Sequence, residues 1–119
     1  MAYVDGFVLP LPKSKIDAYK AIAEMAGTVW REHGALDYRE WIADDVKPGK
    51  LTSFPQSVNL EDGETVVFAW IVYASREARD QVNEKVMKDP RLADVMKPDA
   101  MPFDGKRMIY GGFNLLVER

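Results

Sequence analysis

The stretch that decides the fold is TVVFAWIVY, Thr65 to Tyr73. Val66, Val67, Ile71 and Val72 are β-branched and Phe68, Trp70 and Tyr73 are aromatic, the side chains that suit a pleated sheet. Alternation puts Phe68, Trp70 and Val72 on one side and Val67, Ala69 and Ile71 on the other. A strand apolar on both sides is buried on both. Helices of the same chain can cover one side. An apolar sheet face of this size is unusual in a monomer facing water. The simplest cover for the other side is the same face of a second copy, related by a two-fold axis.

Upstream of this strand, Asp62-Gly63 is a hairpin signal, and Ser57 to Leu60 is expected as a short strand leading into it. Downstream, Ser75 caps a helix that turns Ala78, Val82 and Val86 inward. Nearer the start, Tyr3 to Leu9 forms a strand that Pro10 and Pro12 are expected to end. Ser14 is the expected cap of a long helix, with Asp17 three residues on as a short-armed capping-box acid. Ile16, Tyr19, Ala23, Ala26, Val29 and Trp30 give that helix one apolar face, and Gly34 closes it. Leu36 to Ala43 is the next strand. Asp44 to Pro55 is a long connection with a turn at Pro48-Gly49.

Asp89-Pro90 stops the second helix and starts a short one, expected over Leu92 to Met96. Pro98 and Pro102 keep the chain extended. Lys106 to Val117 is the expected last strand, where Gly111-Gly112 marks a bulge or a close backbone approach. The order strand–helix–strand–strand–helix–strand is the split βαβ arrangement. It defines an α+β, ferredoxin-like protomer of one domain, 1–119, with an antiparallel sheet. Right-handed crossovers put both helices on one face.

Composition narrows the function. With 16 basic and 19 acidic residues the net charge is −3 and the pI about 5.2, so the basic stripe that nucleic acid requires is missing. No cysteine occurs, which excludes thiolate chemistry, disulfides and cysteine metal sites and suits a reducing cytoplasm. Asp5 interrupts the first apolar run, so no signal peptide is expected, and no stretch approaches a membrane span. The expectation is a cytoplasmic protein with neither nucleic-acid nor membrane partners.

Five blocks carry a family pattern: YVDGF (Tyr3–Phe7), EHGAL (Glu32–Leu36), DDVKPGKLTSFP (Asp44–Pro55), VVFAWI (Val66–Ile71) and MPFDGKRMIYGGF (Met101–Phe113). Together they resemble the YbaA-like domain-of-unknown-function family, within the dimeric α/β-barrel superfamily. The resemblance spans nearly the whole chain. It implies a ferredoxin-like protomer and a homodimer built sheet on sheet, and it implies no particular reaction and no cofactor. The wider superfamily includes cofactor-free monooxygenases, haem-degrading enzymes, muconolactone isomerase and ligand-sensing domains, but no catalytic motif of theirs maps onto this chain.

The candidate ligand-binding residues are therefore Asp5, Trp41, Asp104, Lys106, Arg107 and Tyr110. Asp5 shares a strand face with Tyr3 and Phe7, so it must be paired or neutral. Arg107 is the first choice of partner, then Lys106 or Arg39. The pair is either a fold-locking ion pair or a pocket acid. Asp104, Lys106 and Arg107 are either a locally bonded turn or a pocket mouth that grips an anion. Trp41 and Trp70 can stack a planar ligand or fill core, and Tyr3 and Tyr110 can bond a ligand or bridge strands.

His33 falls in the last turn of the first helix, where a cation suits the helix end. It anchors no metal set, and Asp44-Asp45 without further ligands is a solvated loop. Asp44–Pro55 and Asp89–Gly105 are long enough to form neighbouring lips over one cavity.

Two function classes remain. One is a protein that binds a small molecule, anionic or neutral, between sheet and helices, with or without cofactor-free chemistry. The other is a binding or assembly module with no small-molecule chemistry. The first is preferred because charged residues cluster beside apolar strands in the Met101–Phe113 block.

Overall fold

A computed structural model describes residues 2–119. Four strands, β1 (Tyr3–Pro12), β2 (Asp37–Ile42), β3 (Glu64–Tyr73) and β4 (Ile109–Asn114), form one antiparallel sheet in the order β2-β3-β1-β4. The helices are α1 (Ile16–Glu32), α2 (Phe54–Ser57), α3 (Arg76–Met87) and α4 (Pro90–Ala93). Among the described residues no helix is long and apolar enough to cross a membrane.

The two sides of the sheet differ as the alternation of β3 indicates. On β3, Val67, Ala69, Ile71 and Tyr73 are buried, and Ile71 and Tyr73 join Ala26, Val29 and Trp30 of α1 and Val82 and Val86 of α3 in the main core. On the opposite side Phe68 is 40% exposed. There it packs edge-on to Trp70 and stacks with Phe54, and Trp41 leans on Trp70. Ile109 and Phe113 of β4 face the same way through their pairing with Val8 and Val4. Beyond α2, which covers the Val66 end, this aromatic side is uncovered in the protomer.

Pro10 and Pro12 do not end β1. Pro10 pairs with Val66 and Pro12 with Glu64, while pairing with β4 stops at Val8 and Ile109. The Lys13 N–H donates to the Gly63 carbonyl at 2.9 Å, so the odd positions of β1 bond toward β3. The prolines therefore point toward the side that β4 has left, where a missing N–H costs no ladder bond.

Three other expectations are corrected. Ser14 is not the cap of α1: it lies in a 3-10 turn, Lys13–Lys15, and the flanking Lys15 makes no side-chain cap. Ser57 to Leu60 is not a strand. Ser53 accepts a hydrogen bond from the Gln56 N–H and, with Pro55, starts α2 instead; serine followed by proline is a helix start. The last strand is shorter than expected, because Asp104 caps a 3-10 turn over Gly105–Arg107 and β4 begins only at Ile109.

Gly111-Gly112 is not a bulge either, since the pair stays in register with Gly6 and Asp5. It is a close approach: a Cβ on Gly112 would stand 2.7 Å from two carbons of the Tyr3 ring. The Ser75 cap, the Asp89-Pro90 start of a short helix and the closure of α1 before Gly34 all appear as the sequence indicates.

Candidate functional site

Between the helix-bearing side of the sheet and the helices lies a cavity of about 590 Å³. Its floor is Asp5, Phe7 and Leu9 of β1 with Ala69 and Ile71 of β3. α1 supplies Tyr19 and Trp30, β2 supplies Tyr38 and Glu40, and α3 supplies Arg79 and Asn83. Met96, Met101 and Phe103, from the segment after α4, complete the wall with Met87 and Met108. Thioethers and rings give it an adaptable apolar lining.

Two charged arrangements stand in this wall. Asp5, 7% exposed, accepts a hydrogen bond from Arg79 Nη1 at 2.7 Å. The Arg79 guanidinium lies 5.0 Å from the centre of the Tyr3 ring and also bonds Asp80 at 2.7 Å. Burial raises the Asp5 carboxyl above its usual range, and the charge of Arg79 opposes that rise without cancelling it. Beside the pair, Trp30 Nε1 donates to the Tyr73 hydroxyl at 3.1 Å and to Asn83 Oδ1 at 3.2 Å.

The second arrangement is Glu40. Tyr38 donates its hydroxyl to Oε2 at 2.6 Å, and Tyr19 donates to Oε1. Tyr38 and Glu40 are two apart on β2, so they share a face; Tyr19 reaches them from α1. Burial, and then the charge of Glu40, push both phenols well above their ordinary range, so they stay protonated and donate. Gly27 makes room for this cluster, because a Cβ there would lie 2.8 Å from a carbon of the Tyr38 ring. Tyr19, Ala23, Tyr38 and Glu40 also line a second, outer groove of about 780 Å³ between α1 and β2. Glu40 thus stands where groove and cavity meet.

Of the residues singled out in the sequence, Asp5 and Tyr110 line the inner cavity. Trp41 does not; it sits on Trp70 at the β2 edge and lines the outer groove. Asp104, Lys106 and Arg107 are absent from the lining of both. Arg107 is not the partner of Asp5. It forks onto Glu64 at 2.8 and 2.7 Å and bonds Asp104 at 3.0 Å, so the turn satisfies its own charges. The cations that suggested an anionic ligand are therefore elsewhere.

The two long connections are not lips of one cavity. The later one supplies Met96, Met101 and Phe103, whereas the earlier one carries Phe54 to the opposite side of the sheet, onto Phe68. His33 binds Asp89 at 2.9 Å and ties the end of α1 to the start of α4. Among the described residues no group of three or more His, Asp or Glu is placed to hold a metal ion.

Sequence reasoning missed Tyr19, Tyr38, Glu40 and Arg79. Tyr19 was visible as an apolar-stripe residue with a hydroxyl. Arg79 stands three and seven residues before Val82 and Val86, on the inner stripe of α3, and that spacing was the available signal.

A sheet in this order with both helices on one side defines a ferredoxin-like α+β protein, here with a cavity between its two layers. The chain belongs to the family described as protein of unknown function DUF1428, whose model matches residues 2–105. It is 49% identical to the uncharacterized protein YbaA of Escherichia coli K12 over 118 residues, covering 99% of each chain, and equally to that of Shigella flexneri.

Two solved structures share the fold. Rv0793 of Mycobacterium tuberculosis is 16% identical, over 99% of this chain and 98% of that one, with a TM-score of 0.59. An uncharacterized NIPSNAP domain protein of Burkholderia xenovorans is 16% identical, over 96% and 94%, with a TM-score of 0.62. These two speak for the fold alone. The expected family and the expected ferredoxin-like protomer both hold.

Proposed function

We propose that the protein binds a small molecule in the inner cavity and does so as a cytoplasmic homodimer joined through its open sheet faces. The observation that carries the binding reading is the cavity itself. It has a volume typical of ligand sites, an apolar lining and a few convergent polar groups. Asp5 and Tyr110 are retained as contacts, with Tyr19, Tyr38, Glu40 and Arg79 added. The homodimer is supported by the uncovered side of the sheet, where Trp41, Phe68 and Phe113 are 46%, 40% and 60% exposed. A stable interface there should bury more than about 1,500 Å² in total. The lack of cysteine suits the cytoplasm, and the acidic balance weighs against nucleic acid.

Native mass spectrometry of the purified protein tests both halves. A dimer carrying extra small-molecule mass is expected. A dimer with no bound mass, which also fails to bind small apolar probes, would favour the assembly-module reading. A monomer at micromolar concentration would remove the dimer.

A further inference from the structure

We propose that the inner cavity takes an organic cation, an amine or guanidine on an apolar body, with its charged head seated at Glu40 between Tyr19 and Tyr38. The inference rests on the reading of the cavity as a small-molecule site and adds the chemical class. Its first ground is the charge of the lining. Two carboxylates, Asp5 and Glu40, stand against one cation, Arg79. Arg79 is already engaged by Asp5 and Asp80, both at 2.7 Å. Glu40 has no cation within 4.0 Å among the described residues. The wall therefore keeps one negative charge without a counterion, on a half-buried side chain.

The second ground is the hydrogen-bond count at Glu40. A carboxylate offers about four lone-pair sites. Tyr19 and Tyr38 fill one on each oxygen, and both are donors, so the remaining sites also call for donors. A primary ammonium supplies three and a guanidinium five. Burial and Glu40 hold both phenols protonated, so they donate to the carboxylate without neutralising its charge.

The third ground is the surroundings. The Tyr19 ring meets Phe103 edge-on at 5.8 Å and the Tyr38 ring stands 6.2 Å from Trp30. Aromatic faces and thioethers accommodate a cation and its apolar stem together. Within the inner cavity an anionic head would meet Glu40 with no cation but the engaged Arg79; Lys20 and Arg31 line only the outer groove. At that junction of groove and cavity the head meets the carboxylate while its apolar body lies among Met96, Met101 and Phe103 of the inner cavity.

The test uses three probes with one body and different heads: 4-phenylbutylamine, 4-phenylbutanol and 4-phenylbutyrate, titrated into the full-length protein by calorimetry at neutral pH. The amine should bind at least about tenfold more tightly than the alcohol, as a charge-assisted hydrogen bond warrants, and the acid most weakly. Glu40→Gln should bring the amine to within about threefold of the alcohol. Glu77→Gln, which removes the same charge from an exposed site on α3, should keep the amine preference. If Glu40→Gln does not fold by circular dichroism, Glu40→Asp replaces it, with a reduced preference expected.

Equal binding of alcohol and amine by the wild type, or tighter binding of the acid, overturns the cation and leaves the cavity reading standing. So does a preference that survives unreduced in the Glu40 variant. Binding of none of the three overturns both.

Discussion

Asp5 in the first strand and Arg79 in the third helix are 74 residues apart and meet at 2.7 Å. Their side chains are 10% and 18% exposed, so the pair ties α3 to the centre of the sheet out of reach of most solvent. Removing Arg79 leaves the Asp5 carboxylate buried without a cation. Arg79→Met is expected to cost on the order of 3 kcal/mol of unfolding free energy, less than a fully buried pair because the pair is partly wet. Urea denaturation followed by tryptophan fluorescence checks this. A loss below about 0.5 kcal/mol would mean that Asp5 is held by its other neighbours.

The pair of Arg107 with Glu64 makes a prediction about acid. Arg107 holds the Glu64 carboxyl below its ordinary value of 4.5. A carboxylate depressed in the folded state binds its proton more weakly there than in the unfolded chain. Its stabilising contribution is complete above the unfolded value and is lost as pH falls through the folded one. Wild-type stability should therefore decline as pH drops below about 4.5, and Arg107→Met should flatten that part of the decline. At neutral pH the same variant should lose about 1–3 kcal/mol, since it strands a carboxylate only 8% exposed. Chemical denaturation at a series of pH values measures both effects.

Gly112 faces the ring of Tyr3 with no room for a methyl group. Gly112→Ala should destabilise by about 1–3 kcal/mol through overpacking. Adding Tyr3→Ala should give a double variant less destabilised than the sum of the two single ones, because the clash is then gone. Thermal melts of the four proteins complete the cycle, and strict additivity would show that the backbone has moved aside instead.

Phe68 is central on the uncovered side of the sheet, touching both Trp70 and Phe54. Phe68→Glu places a charge in the middle of the proposed interface. Sedimentation velocity at micromolar concentration should show the wild type as a dimer and the variant as a folded monomer. A wild-type monomer, or an unperturbed dimer of the variant, would move the interface away from this face.

Most of the architecture was legible in the sequence, and the legible parts share a cause. The core strand around Val66–Tyr73, the inner stripes of α1 and α3, and the Ser75 and Asp89 caps are local patterns with a fixed period or spacing. The misread parts depend on neighbours that lie far away in the chain. A proline breaks a ladder and so reads as a stop at Pro10, but β4 has already left that side of β1. Arg107 reads as a partner of Asp5 from an adjacent strand, but the Asp104 cap holds it in a turn. Glu40 and Tyr38 carried the period-two signal of one strand face, yet only the packing of α1 over β2 brings Tyr19 and the space left by Gly27 to them.

The two prolines of β1 have a consequence for how the protein behaves in a crowded solution. Where β4 ends, the flank of β1 would ordinarily show a row of free N–H groups, a template on which a stray strand from another chain could grow. Pro10 and Pro12 offer none, and Pro10 is itself fully buried, so that flank is closed to strand addition. An incoming chain is denied a ladder at that place, and this stretch of edge is poorly suited to seed fibrils.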